Sequence, residues 1–216
     1  MIDTRSIIRE AEKLARVNAT SPGSAHDVYH VFRVRDLAVR LALAEGARRD
    51  IVELAALLHD AYDHKFTGSF EAAMEGTRGW LISNGADDGM ADLISGIVHG
   101  VSFRGVGTPD YELPLEGRCV RDADRLDAMG AIGVARAVAY GAERSHPLSR
   151  ADCHPKELDE SNYGSGGQTT VNHFFEKLLI LHERLETRTA KTMAVRRHRF
   201  LLSFLDELEK DLEGIV

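Results

Sequence analysis

Apolar positions along the chain recur at helical spacing and almost nowhere alternate as a half-buried strand would. Ile7, Ile8, Ala11, Leu14 and Ala15 form one stripe over residues 3–18, which stops at the breaker cluster Thr20-Ser21-Pro22-Gly23-Ser24. A second helix is predicted from His26 to Ala44, with Val31, Val34, Ala38, Leu41 and Ala42 inward and Glu45-Gly46 at its end. Residues 50–62 are apolar on nearly every side, the pattern of a central, buried helix. Residues 69–84 read as a fourth helix and Ala86–Val101 as a fifth. Beyond a loop from Arg104 to Leu115, Glu116–Ala142 reads as a sixth, in which Gly130 and Gly133 imply close packing.

Residues 143–170 have no periodicity and carry Pro147, Pro155 and Gly164-Ser165-Gly166-Gly167, which is the character of a lid. Helical spacing resumes over 170–212, with a break expected near Thr187–Thr192. No repeat or linker separates two cores, so the expectation is one all-α domain over residues 1–216. Its core spans about 26–130, and a lid and helices follow over about 143–212.

Composition narrows the function classes. Of the 216 residues 44% are apolar and 28% charged, and 27 basic against 34 acidic residues leave a net charge of −7. A protein that coats polymeric nucleic acid ordinarily carries a basic excess. No apolar run reaches the ~18–20 residues needed to span a bilayer, and MIDTRSIIREAEKLARV lacks the apolar stretch of a signal peptide. Cys119 and Cys153 have no metal-type or disulfide-type spacing. The expectation is a cytoplasmic protein with neither a membrane nor a polymeric nucleic acid as partner. Oligomeric state is not set by these patterns.

The ten histidines change the picture, because His26 and His59 are each followed directly by aspartate. His59-Asp60 ends the most apolar helix, where an unpaired carboxylate would cost several kcal/mol. Either backbone groups satisfy the pair, or a divalent cation does. His30 lies on the preceding helix, with His26 on the same face at i, i+4. Asp124 stands in Val120-Arg121-Asp122-Ala123-Asp124-Arg125-Leu126-Asp127, an acidic stretch within an apolar pattern. His30, His59, Asp60 and Asp124 thus offer two imidazoles and two carboxylates from three helices, a mixed set suited to Mn²⁺, Fe²⁺, Co²⁺, Ni²⁺ or Zn²⁺.

This ordered H…HD…D pattern resembles the HD-domain metal-dependent phosphohydrolase superfamily. His26-Asp27-x-x-His30-x-x-Arg33-Val34, Ala55-Ala56-Leu57-Leu58-His59-Asp60, Asp122-Ala123-Asp124-Arg125-Leu126-Asp127-Ala128 and His173-Phe174-Phe175-Glu176-Lys177-Leu178 together look like its stand-alone bacterial branch. The likeness covers roughly residues 5–205. It implies an all-α helical bundle and one divalent metal ion (Mn²⁺, Mg²⁺, Co²⁺, Ni²⁺, Fe²⁺ or Zn²⁺) held by His30, His59, Asp60 and Asp124. It also implies hydrolysis of a phosphate ester or anhydride. Some relatives split nucleoside triphosphates to monophosphate and pyrophosphate. Two-metal members carry His-Asp-x-Gly-Lys, where this chain has His59-Asp60-Ala61-Tyr62-Asp63-His64-Lys65, so the dinuclear phosphodiesterase reading is weakened.

Around that centre, Asp60 is the candidate to orient a water and Lys177 the candidate catalytic cation. His26, Arg33, Lys65, His99, Arg125 and His173 are candidate contacts to a small phosphorylated substrate, a nucleotide above all. For several of these a plain structural use competes: Arg33 reads also as an ion pair, His99 as a helix terminator, Lys177 and His173 as a surface pair. Two other classes use the same scaffold, a di-iron oxygenase and an inactive metal-binding sensor.

Overall fold

The computed structural model describes residues 3–18, 28–62, 70–101, 109–149 and 169–214. Among them are helices joined by turns, and no strand. The candidate contacts His26 and Lys65, Cys153 and most of the expected lid lie outside the described residues. No helix among the described residues is long and apolar enough to cross a membrane.

The chain groups into two compact units, the first formed mainly by 26–104 and 109–124 with the N-terminal residues, the second mainly by 125–216. In the first lie α1 (Thr4–Asn18), α2 (Val28–Glu45), α3 (Arg49–Leu58), α4 (Phe70–Ser83) and α5 (Asp88–Val101). Helix α6 (Leu115–Asp127) begins there, and the division falls between its Asp124 and Arg125. The second unit holds α7 (Gly130–Glu143), the short α8 (Thr170–His173) and the long α9 (Arg188–Glu213).

Helix α3 is the centre of the first unit, packed against α1, α2 and α5. Ile51, Val52, Leu54, Ala55, Ala56, Leu57 and Leu58 are all buried, which is why its sequence is apolar on nearly every side. Each large aliphatic side chain removed from water there contributes about 1.5–3 kcal/mol. Helix α2 turns Val31, Val34, Ala38, Leu41 and Ala42 inward, and His30 lies on the same buried stripe. Arg35 of α2 ties the neighbours together through Glu12 of α1 (2.9 Å) and Glu53 of α3 (3.5 Å).

Two expected helices end sooner than their patterns imply. The helix read over 50–62 stops at Leu58, with His59 as its C-cap and the Ala61 amide turning back to the Leu58 carbonyl. The helix read over 116–142 is broken into α6 and α7. Met129 is extended and Gly130 has φ +69°, a left-handed conformation that favours glycine. A Cβ at Gly133 would lie 2.2 Å from the Ala128 carbonyl oxygen, so the returning chain needs a glycine there too.

The helical stretch over 170–212, with its break expected near Thr187–Thr192, is interrupted earlier, from Phe174 to Thr187. After α8 comes a π-helical turn, Phe174–Leu178, then a 3₁₀ turn, Ile180–His182. Thr187 then caps α9 by accepting the Ala190 amide at 3.3 Å. Phe174 stacks on Phe204 of α9 with centroids 5.5 Å apart, fixing the π turn against that helix.

Candidate metal centre

The sequence places each ligand candidate by a different device. His30 projects from the apolar stripe of α2 and is 2% exposed. His59 stands where α3 ends, so its ring sits at the rim of the core rather than inside the helix wall. Asp60 follows in the turn, and Asp124 comes from the last stretch of α6 that belongs to the first unit.

Their ligand atoms converge. His30 Nε2 lies 3.4 Å from His59 Nε2, 3.6 Å from Asp60 Oδ2 and 3.4 Å from Asp124 Oδ1. His59 Nε2 lies 3.5 Å from Asp60 Oδ2. The two rings meet edge to face, with centroids 5.3 Å apart. His30, His59 and Asp60 form one compact group of potential ligands, and Asp124 joins it beside His30.

The donor set fits a divalent ion. His59 Nδ1 is 2.8 Å from the Ala56 carbonyl oxygen, and a carbonyl can only accept, so Nδ1 carries the proton. The Nε2 lone pair therefore faces His30 and Asp60. Such a backbone anchor on the far nitrogen is how metal-ligating imidazoles are commonly oriented. A first-row ion with bonds of about 2.0–2.2 Å spaces neighbouring ligand atoms about 3–3.4 Å apart. The observed separations of 3.4–3.6 Å are close to that spacing.

Other candidates are distributed as follows. Arg33 is half-buried on α2, one turn beyond His30. His99, in the last turn of α5, lies against the ring of Tyr111 with centroids 5.1 Å apart. In the second unit, Arg125 is buried and donates to the Arg184 carbonyl oxygen. His173 stacks on Tyr140 at 5.9 Å, and burial with the neighbouring Lys177 and His146 pushes its pKa down to about 4. Asp127, which shares a helical face with Asp124 at i, i+3, is committed elsewhere: Arg136 Nη1 pairs with it at 3.0 Å in the second unit. Sequence reasoning gave no role to Tyr111, Arg121 or Tyr140. Their neighbours are brought to them by tertiary contact, and no motif marks them.

The Bacillus subtilis protein YpgQ is 39% identical over 197 residues, covering 91% of this chain and 89% of YpgQ. The HD domain family matches residues 27–129, which include His30, His59, Asp60 and Asp124. This chain belongs to the HD-domain family. Among solved structures, a Lactobacillus plantarum protein superposes with a TM-score of 0.85 at 31% identity, over 99% of this chain and 100% of its own. YpgQ crystallised in complex with ADP gives a TM-score of 0.73 at 36% identity, over 95% and 100%. An HD-superfamily hydrolase from Bacillus thuringiensis gives 0.75 at 31% identity, over 97% and 98%.

Proposed function

We propose that this HD-domain chain is a divalent-metal-dependent phosphohydrolase that cleaves a phosphate ester or anhydride of a nucleotide. The observation that carries the reading is the convergence of His30, His59 and Asp60, with Asp124 at 3.4 Å from His30. Two imidazole nitrogens gathered with carboxylate oxygens make a donor set that suits a divalent cation. When bound, a divalent ion supplies Lewis acidity toward a phosphoryl oxygen and brings the pKa of a water toward neutrality. His30, His59, Asp60 and Asp124 hold the ion, and Asp60, part-exposed at the rim, also orients the attacking water. Within the same unit, Arg33 serves the anionic phosphate and His99 is a further contact to the substrate.

The nucleotide is favoured by the relative YpgQ, which was crystallised with ADP. Among nucleotide reactions we favour cleavage of a nucleoside triphosphate to monophosphate and pyrophosphate, in the cytoplasm.

The test is a panel of nucleoside mono-, di- and triphosphates and a general phosphatase substrate, each with Mn²⁺, Mg²⁺, Co²⁺ or Ni²⁺. The expected result is pyrophosphate and a monophosphate from a triphosphate, lost on chelation and restored by metal. Release of neither phosphate nor pyrophosphate from any substrate with any of the four ions would overturn the reading.

A further inference from the structure

Next to the metal-ligand stretch of α6 the first unit contains a second built feature, centred on Arg121. This side chain is 1% exposed. Burying a guanidinium is costly unless its donors are used. Arg121 Nη2 donates to the carbonyl oxygens of Gly100 (3.0 Å) and Tyr111 (2.6 Å). Those residues flank one pair of rings, His99 beside Gly100 and Tyr111 itself, with centroids 5.1 Å apart and a tilt of 41°.

The segment carrying Tyr111 is pinned a second time. Leu113 fills the notch left by Gly100 and Gly117: a Cβ at Gly100 would lie 2.6 Å from Leu113 Cδ2, and one at Gly117 3.0 Å from Leu113 Cβ. The backbone on both sides of the ring pair is therefore fixed, while Tyr111 remains 37% exposed. A buried cation therefore holds the backbone that carries a part-open aromatic ring.

Helix register gives its position relative to the metal ligands. Ile97 of α5 lies beside Gly117 of α6, and Gly100 beside Arg121, so the two helices advance together. Asp124 is three residues beyond Arg121, about 4.5 Å of helix rise, on a neighbouring part of the same face. Arg121, which holds the backbone on both sides of the ring pair, thus stands about one turn along α6 from Asp124.

We propose that Tyr111 and His99 form the platform on which the base of a nucleotide stacks while its phosphates reach the His30–His59–Asp60–Asp124 centre. The proposal rests on the nucleotide reading above and names the part of the site that would recognise the base. Stacking on tyrosine and histidine suits any base, because every base offers a π-face. Tyr111 is the specificity-determining side chain, and Arg121 is its positioning residue.

Isothermal titration of the Mn²⁺-loaded full-length chain with AMP and with ribose 5-phosphate tests this, since the two probes share a phosphate ester and differ by the base. The wild type is expected to bind AMP about tenfold or more tightly than ribose 5-phosphate. Tyr111→Ala should bind ribose 5-phosphate as the wild type does and lose the preference for AMP, whereas Tyr111→Phe should keep it. A preference that survives in Tyr111→Ala would overturn the platform and leave the nucleotide reading standing. So would equal weakening of both probes, or loss of the preference in Tyr111→Phe. A wild type with no preference for AMP would overturn both.

Discussion

The imidazoles of the two units sit in opposite electrostatic surroundings. In the first, His30 and His59 meet edge to face with the carboxylates of Asp60 and Asp124 at 3.4–3.6 Å, and the far nitrogen of His59 is tied to a backbone carbonyl. In the second, His173 has Lys177 and His146 nearby and stacks on Tyr140, whose ring also lies under the Arg144 guanidinium at 4.7 Å. His182 and His198 stack with centroids 3.9 Å apart, and burial with His182 lowers the pKa of His198. Both units gather histidines, but they do so for different physics. Carboxylates and converging lone pairs create a place for a cation, whereas burial beside cations keeps an imidazole neutral and repels one.

The largest effect should come from breaking the first arrangement. Asp60→Ala removes a carboxylate oxygen within 3.6 Å of both histidine Nε2 atoms. Elemental analysis should show bound divalent metal falling from about one ion per chain to near none, with hydrolysis lost. His198→Ala, in the second unit, should keep the metal content of the wild type. Equal loss in both variants would dissolve the contrast, and retained metal in Asp60→Ala would remove Asp60 from the ligand set.

Acid sharpens the contrast from the other side. His173 has a pKa near 4 in the fold against about 6.5 in an unfolded chain. Between those values the unfolded state binds more protons, so stability is fully present above about pH 6.5 and falls as pH drops toward 4. One proton limits that slope to about 1.4 kcal/mol per pH unit. Denaturant titrations across this window should lose the His173 share of the slope in His173→Phe, which keeps a ring against Tyr140. Parallel profiles for the two proteins would mean that the folded imidazole protonates as an exposed one does.

How far the sequence reaches depends on the same distinction between local and tertiary causes. The stripe of α2 and the nearly all-round apolar α3 were readable because burial imposes its period directly on residue type. His30 and His59 stood out because they interrupt those apolar patterns. His30, His59 and Asp60 lie together as one group of potential ligands, with Asp124 Oδ1 3.4 Å from His30 Nε2. The break between α6 and α7 was not readable: Ala128 and Met129 continue the apolar pattern, and only the left-handed backbone of Gly130 and the approach of Gly133 to the Ala128 carbonyl reveal it. Arg121 and Tyr111 were invisible for a related reason, since a guanidinium that bridges residues 100, 111 and 121 has no signature in any one stretch. The π turn over Phe174–Leu178 likewise reads as ordinary helix in sequence.

Lys177 tests whether the second unit's cations serve chemistry or packing. Its charge acts on His173, and π-helical turns are frequent at functional sites. If Lys177 supplies a phosphate cation, Lys177→Ala should leave metal content unchanged and lower kcat/KM for a phosphorylated substrate about tenfold, a loss of ~1.4 kcal/mol of transition-state stabilisation. Wild-type kinetics in the metal-loaded variant would assign Lys177 to the electrostatics of His173 alone.

The smallest effect should come from the cap of α9, and it asks whether the two units share their stability. Thr187 is buried, and its side-chain oxygen accepts the Ala190 amide at the start of a 26-residue helix. Replacing a threonine cap by alanine costs about 1 kcal/mol, because a helix-terminal N–H loses its partner. In a chain of this size that corresponds to a fall in Tm of about 2–4 °C. Thr187→Ser keeps the hydroxyl and should recover most of it. The cap lies in the second unit and all four metal-ligand candidates in the first, so metal affinity measured well below the transition should not change in Thr187→Ala. A metal affinity that weakens along with the cap would mean that the His30–His59–Asp60–Asp124 centre draws its order from α9. The opposed chemistry of the two sets of histidines would then belong to one cooperative structure instead of two.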